Sequence, residues 1–157
     1  MTGFVSHYTN RVDAKGRVSI PAPFRAALAK DGFEGLYCFP SPFQEAVDAG
    51  GHGLTHEIQK KLEGFSTLSM EYDVLSTALY GASETLKIDR DGRIVLTDSI
   101  RAHTGIDQEV TFVGQGFKFQ IWEPGKFRAH REEAMKRAMA VLAGSQPGFS
   151  GQAGGAA

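Results

Sequence analysis

Asp13-Ala14-Lys15-Gly16-Arg17 and Asp89-Arg90-Asp91-Gly92-Arg93 repeat one order of residue types, Asp-x-x-Gly-Arg, that can do specific chemistry. A carboxylate at the first position can accept hydrogen bonds from the backbone N–H groups of a tight turn. Glycine at the fourth tolerates the positive φ of a type I turn that closes on a left-handed residue. The expected product is a three-residue hairpin loop. The arginine then opens the returning strand, four residues after its aspartate and within reach of a carboxylate that would orient the guanidinium. A guanidinium held in this way suits a phosphate contact or bidentate reading of guanine in the major groove, which also admits a two-stranded ribbon. Arg17 and Arg93 are therefore the candidate DNA-reading residues, with Asp13, Gly16, Asp89 and Gly92 orienting them. The competing reading is that each Asp–Arg pair only pins its turn, since a duplicated fold would duplicate its pins as well.

Charge separates the two copies. The chain as a whole carries a net charge of −1, which argues against a coat of positive charge and against strong non-specific nucleic-acid binding. Residues 1–30, however, hold Arg11, Lys15, Arg17, Arg25 and Lys30 against Asp13 alone. Lys15, a further candidate DNA contact, stands at the tip of the first turn, where the second has Asp91. Arg11 and Arg25 are candidate contacts to the phosphate backbone, and the first hairpin is expected to dominate. Weak binding per chain implies that several hairpins engage successive DNA turns together, and hence direct repeats in the target.

The elements around the turns match as well. Each copy follows a strand-like stretch, Tyr8 to Val12 or Thr85 to Ile88, and leads through aliphatic residues into a short helix. The first helix is expected over Pro21 to Lys30, with Pro23 in its first turn, Phe24, Ala27 and Leu28 buried and Gly32 as the stop. The second is expected over Asp98 to Thr104, with Thr97 as N-cap and Gly105 as the stop. Strands follow at Leu36 to Phe39, Val110 to Val113 and Phe117 to Trp122, the last two joined by Gly114-Gln115-Gly116. Leu54, Ile58 and Leu62 predict a helix, Thr67 to Leu79 another, and Phe127 to Leu142 a third whose Phe and Met stripe reads as packing. From Gly144 onward the Gly- and Ala-rich composition predicts a disordered tail. The domains expected are 1–79, 80–143 and this tail, 144–157. The fold class is α+β.

Several functions find little material. His52-x-x-x-His56 could place two imidazoles on one helix face, but Gly53 follows the first histidine and no third ligand is apparent, so no metal is expected. No nucleophile elbow, phosphate loop or paired cysteine motif is present, so neither an enzyme nor a cofactor or small-molecule substrate is expected. Cys38 lies in the apolar run Leu36-Tyr37-Cys38-Phe39 and reads as a buried, unreactive thiol. Met1 to Arg11 lacks the apolar core of a signal peptide and no stretch approaches membrane-spanning length, which predicts a cytoplasmic protein with no membrane partner.

Asp13 to Pro21 with Phe24-Arg25, Asp89 to Leu96 with Ile100-Arg101, and Val113 to Gly116 running through Phe119-Gln120-Ile121-Trp122 together resemble the MraZ family. The resemblance spans all but the glycine-rich tail. It implies two tandem AbrB-like swapped-hairpin β-barrel units with flanking helices, assembly into a ring homo-oligomer, and a nucleoid-associated bacterial regulator acting on its own operon in the division and cell-wall gene cluster. It also implies that Arg17 and Arg93 face double-stranded DNA. Three departures stand out: Thr97 replaces a usual proline, Gln120 replaces a common acid, and residues 39–53 lack an expected tryptophan and carry Gly50-Gly51, which predicts a shortened or kinked helix there. The alternative to DNA binding is a structural oligomer or protein-interaction module built on the same fold.

Overall fold

Local signals and long-range pairing together build a mixed α+β structure, described here from a computed structural model for residues 3–144. In chain order its elements are β1 (His7–Arg11), β2 (Arg17–Ser19), α1 (Ala22–Asp31), β3 (Leu36–Pro40), β4 (Val47–Gly50), α2 (His52–Leu62), α3 (Met70–Ser76), β5 (Glu84–Leu86), β6 (Arg93–Val95), α4 (Asp98–Thr104), β7 (Glu109–Gly114), β8 (Phe119–Trp122) and α5 (Pro124–Gly144). One compact unit runs to Pro124 and a second begins at Gly125.

Six strands form one antiparallel sheet in the order β1-β7-β8-β4-β3-β5, while β2 and β6 pair antiparallel in a separate two-stranded ribbon. Strands from the two ends of the chain interleave. β1 lies against β7 with His7 opposite Val113, and β5 lies against β3 with Leu36 opposite Leu86. At the β1–β7 edge Gly114 is needed for its size, since a Cβ there would lie 2.4 Å from the Phe4 carbonyl carbon.

The two short helices form by different chemistry at equivalent positions. α1 follows Pro21 and stops at Gly32, whose φ of 79° lets its N–H return to the Leu28 carbonyl. α4 starts at Thr97, whose hydroxyl accepts from the Ile100 N–H, and stops at left-handed Gly105. Thr97 thus replaces proline without loss of the helix. Phe24 of α1 is buried at the centre of the core, its ring 5.0 Å from Phe119 and 5.3 Å from Phe4. Val18 and Ile94, the inward residues of the ribbon, join the same cluster and tie the turn motifs to it.

A second cluster joins Phe39 to Leu54, Ile58 and Leu62 of α2, with Tyr72 and Leu75 of α3 against it. Gly50 belongs to β4 and Gly51 is the N-cap of α2, so the glycine pair precedes the helix instead of interrupting it. The helix start is held by the Asp31 carboxylate at the end of α1, which accepts from the backbone N–H groups of His52 and Gly53. Between Thr67 and Leu79 the helix forms only from Met70, where Ser69 caps it, and it widens into a π-helical turn over Thr77–Gly81.

Gln120 sits in a closed polar network. Buried Asp48 accepts from Gln120 Nε2 at 2.7 Å and from Lys118 Nζ at 3.1 Å, while Gln120 Oε1 accepts from Trp122 Nε1 at 2.9 Å and from Gln115 Nε2 at 3.2 Å. Asp48, from β4, supplies the carboxylate and Gln120 relays it to Trp122.

In α5 the stripe read as packing is exposed instead at Met135, Met139 and Leu142. Helical periodicity identifies an apolar face without identifying what covers it. Gly144 closes this helix, and the rest of the expected tail lies outside the described residues.

Candidate nucleic-acid interface

Both Asp-x-x-Gly-Arg segments adopt one geometry. In the first, the Gly16 N–H donates to the Asp13 carbonyl at 3.0 Å and the Asp13 N–H to the Arg17 carbonyl at 2.8 Å, closing a three-residue loop with Gly16 at φ 79°. Asp13 Oδ1 accepts from the N–H groups of Lys15 and Arg17, and Oδ2 accepts from Arg17 Nε at 2.8 Å. In the second, the Asp89 carboxylate accepts from the N–H groups of Asp91 and Arg93 and from Arg93 Nε, each at 2.9 Å, with Gly92 at φ 77°. One carboxylate thus fixes the turn with one oxygen and the guanidinium with the other. The aspartate holds each guanidinium through Nε alone, which in Arg17 leaves the two Nη groups to meet a ligand.

Those hydrogen bonds set the charge state of the aspartates. The Arg17 backbone N–H, aided by its guanidinium and the Lys15 N–H and opposed by some desolvation, holds the Asp13 carboxyl below its ordinary 3.8. The same set of groups from Arg93 and Asp91 acts on Asp89. A carboxylate with a depressed folded-state pKa contributes in full above its ordinary value and loses its contribution as pH falls through the lowered one. Both turns should therefore stay locked from pH 8 down to about pH 4 and open only below. The Arg17 and Arg93 Nε–H resonances, followed by NMR through that range, check this; a midpoint above 3.8 would contradict it.

Beyond the turn the two flanking strands of each copy do not pair in a ladder: β1 pairs with β7 and β5 with β3. Instead the two returning strands pair with each other, Arg17 opposite Val95, Val18 opposite Ile94 and Ser19 opposite Arg93. Directly opposed residues share a face, so Val18 and Ile94 point into the core while Arg17, Ser19, Arg93 and Val95 share the outer side. Arg17 and Arg93 are diagonal neighbours there, about 7–8 Å apart by strand geometry. The two motifs make one surface, with a cation at each side and Ser19 and exposed Val95 between. Ser19 and Val95 lie at the same distance beyond Asp13 and Asp89, but their residue types carry no signal of a shared face.

The remaining predicted residues divide. Lys15 is exposed at the first turn tip, and Arg11 is exposed at the end of β1, opposite Glu109. In the second turn Arg93 Nη2 also bonds Asp91 at 3.2 Å, so a second acid shares its charge, while exposed Arg90 occupies the position of Ala14. Arg25 is not at the first turn: half-buried, it donates from Nη1 to the Ile20 carbonyl at 2.6 Å. Cys38 is buried, and that burial, with the Glu84 carboxylate, pushes its thiol up to about 12, so it stays protonated and unreactive. His52 and His56 are both exposed on α2.

A transcriptional regulator MraZ from Beijerinckia indica is 64% identical over 137 residues, covering 87% of this chain and 84% of that protein. The chain belongs to the MraZ family. A transcriptional regulator MraZ from Methylocella silvestris is 63% identical with the same coverage, and one from Azorhizobium caulinodans is 50% identical over 96% of this chain and 100% of its own length. The family model described as "MraZ protein, putative antitoxin-like" matches residues 79–142, the part that holds the second turn motif. Among the described residues no helix is long and apolar enough to cross a membrane.

Proposed function

We propose that this chain is a cytoplasmic, nucleoid-associated transcriptional regulator that binds double-stranded DNA through the outer face of the β2–β6 ribbon. The observation that carries the reading is the pair Arg17 and Arg93, each oriented by its own aspartate and both on one outward face. A two-stranded ribbon of this kind fits the major groove, and a bidentate arginine is the commonest reader of guanine there. The names of the relatives, transcriptional regulators all, support the first half of the reading.

The two halves act as tandem swapped-hairpin units, with boundaries near residue 79, each lending a strand to the other. Copies of the chain assemble into a ring that sets several ribbons on direct repeats in the promoter of its own operon, in the division and cell-wall gene cluster. Exposed apolar side chains support self-association: Phe43, Leu68 and Met70 in one unit, Met135 and Met139 in the other. Exposed apolar side chains on two different units suit a head-to-tail contact between copies, which closes into a ring when the rotation allows. The same exposed side chains favour the second reading, a structural oligomer or protein-interaction module that does not bind DNA.

The test is binding to the promoter fragment upstream of the protein's own gene, titrated with salt. Affinity should fall steeply as salt rises, and Arg17→Ala should weaken it by about 10- to 100-fold while the oligomer elutes unchanged. Affinity indifferent to both salt and Arg17 would favour the interaction module.

A further inference from the structure

Arg25 and Arg101 occupy the same offset, twelve residues after Asp13 and Asp89 respectively, each the fourth residue of its helix. Their side chains do not serve their own copies of the motif. A Cβ added to Gly92 would lie 2.2 Å from Arg25 Cδ and 2.8 Å from its Nε, so the Arg25 side chain packs directly against the second turn. Gly92 is buried as a result. Reciprocally, the nearest atom to a Cβ on Gly16 would be Arg101 Nη2, at 3.8 Å.

The backbone completes each crossing. Arg25 Nη1 donates to the Ile20 carbonyl, and the Ile20 N–H donates to the Gly92 carbonyl at 2.9 Å. On the other side the Leu96 N–H donates to the Gly16 carbonyl at 3.0 Å, while Arg101 Nη1 donates to the Asp107 carbonyl at 3.0 Å in the loop whose Gln108 carbonyl accepts from the Val12 N–H. Each arginine also lines a cleft with the turn it faces: Arg25 with Asp89, Asp91 and Gly92, Arg101 with Asp13 and Ala14.

We infer that Arg25 and Arg101 are positioning residues acting across the duplication, Arg25 holding the turn that presents Arg93 and Arg101 the turn that presents Arg17. The two supports differ in tightness. Arg25 is in van der Waals contact with its turn and Arg101 stands further off, so the second turn is the more firmly held. Left-handed glycine is thereby required twice over at Gly92, for its φ and for the room Arg25 takes, and at Gly16 for φ alone.

The consequence for DNA rests on the proposed function; the crossing itself does not, and the experiment separates them. In the free full-length protein, hydrogen exchange of the Asp91 and Arg93 amides should rise about tenfold in Arg25→Ala, with those of Lys15 and Arg17 changed by less than about twofold. Arg101→Ala should give the reverse pattern with a smaller rise. Arg25→Lys, which keeps an aliphatic stem and one donor, should restore most of the protection; it also carries the comparison if Arg25→Ala does not fold. Equal loosening of both turns, or loosening of the variant's own turn, would overturn the inference.

With promoter DNA, Arg25→Ala should weaken binding in the wild-type and Arg17→Ala backgrounds but add nothing in Arg93→Ala, because its effect passes through Arg93. A loss independent of Arg93, with the salt slope reduced by about one, would make Arg25 a phosphate contact and overturn the positioning role. Absence of DNA binding in the wild-type protein would sink the proposed function and leave the exchange pattern to decide the crossing.

Discussion

The double variant Arg17→Ala, Arg93→Ala should lose promoter binding almost completely at about 0.15 M salt, where counterion release has already weakened the electrostatic term. Each arginine, if it reads a base bidentately, contributes about 1–3 kcal/mol of discrimination, so removing both lowers specific affinity by roughly 30-fold to 10⁴-fold. The two contributions should be unequal. Arg17 bonds one carboxylate, whereas Arg93 is shared between Asp89 and Asp91, so Arg17→Ala should account for the larger part. They should also be non-additive, because the side chains are diagonal neighbours on one ribbon and would meet one stretch of groove. Fluorescence anisotropy on wild-type, single and double variants measures all three quantities. A double variant that forms the native oligomer and binds as tightly as wild type would remove both arginines from the interface.

The largest expected loss of stability comes from Asp48→Ala, at about 3 kcal/mol by urea denaturation. The carboxylate is 5% exposed and meets an ammonium and an amide that are themselves mostly covered. Its removal leaves Lys118 without that counter-charge and the buried Gln120 N–H group without an acceptor, the costliest way to break a buried pair. Asp48→Asn keeps an oxygen for Gln120 but sets an amide NH2 against Lys118 in place of the second carboxylate oxygen, so it should cost less than Asp48→Ala. Equal losses for the two substitutions would show that the charge facing Lys118, not the acceptor for Gln120, is what matters at this site.

What could be read in the sequence was whatever is settled within a few residues. The Asp-x-x-Gly-Arg turns, the stops at Gly32 and Gly105 and the Thr97 cap are local hydrogen-bond patterns, and all formed where the residue types predicted. The pairing of β2 with β6 was not legible, because nothing in two three-residue strands names a partner far along the chain. β4 was missed for a related reason: Val47–Gly50 is buried on both sides, so it shows neither alternation nor a run of β-formers. Arg25 reads in the sequence as a candidate phosphate contact beside its own motif, and only the three-dimensional crossing places its side chain against the other turn. The α5 stripe showed its period correctly and its covering not at all.

The pairing of β1 with β7 bears on how the protein is made. Thr9 and Thr111, whose hydroxyls share a hydrogen bond at 2.8 Å, are 102 residues apart. At a synthesis rate of roughly 5–20 residues per second, β1 leaves the ribosome roughly 5–20 s before its partner exists. During that interval the nascent chain carries an open strand edge and the aromatic side chains of Phe4, Tyr8 and Phe24 without Phe112 or Phe119 to cover them. Chains that stop early, at any point before β7, therefore expose a sticky end, so premature termination and slow translation late in the message are the events against which a cell would have to protect this protein.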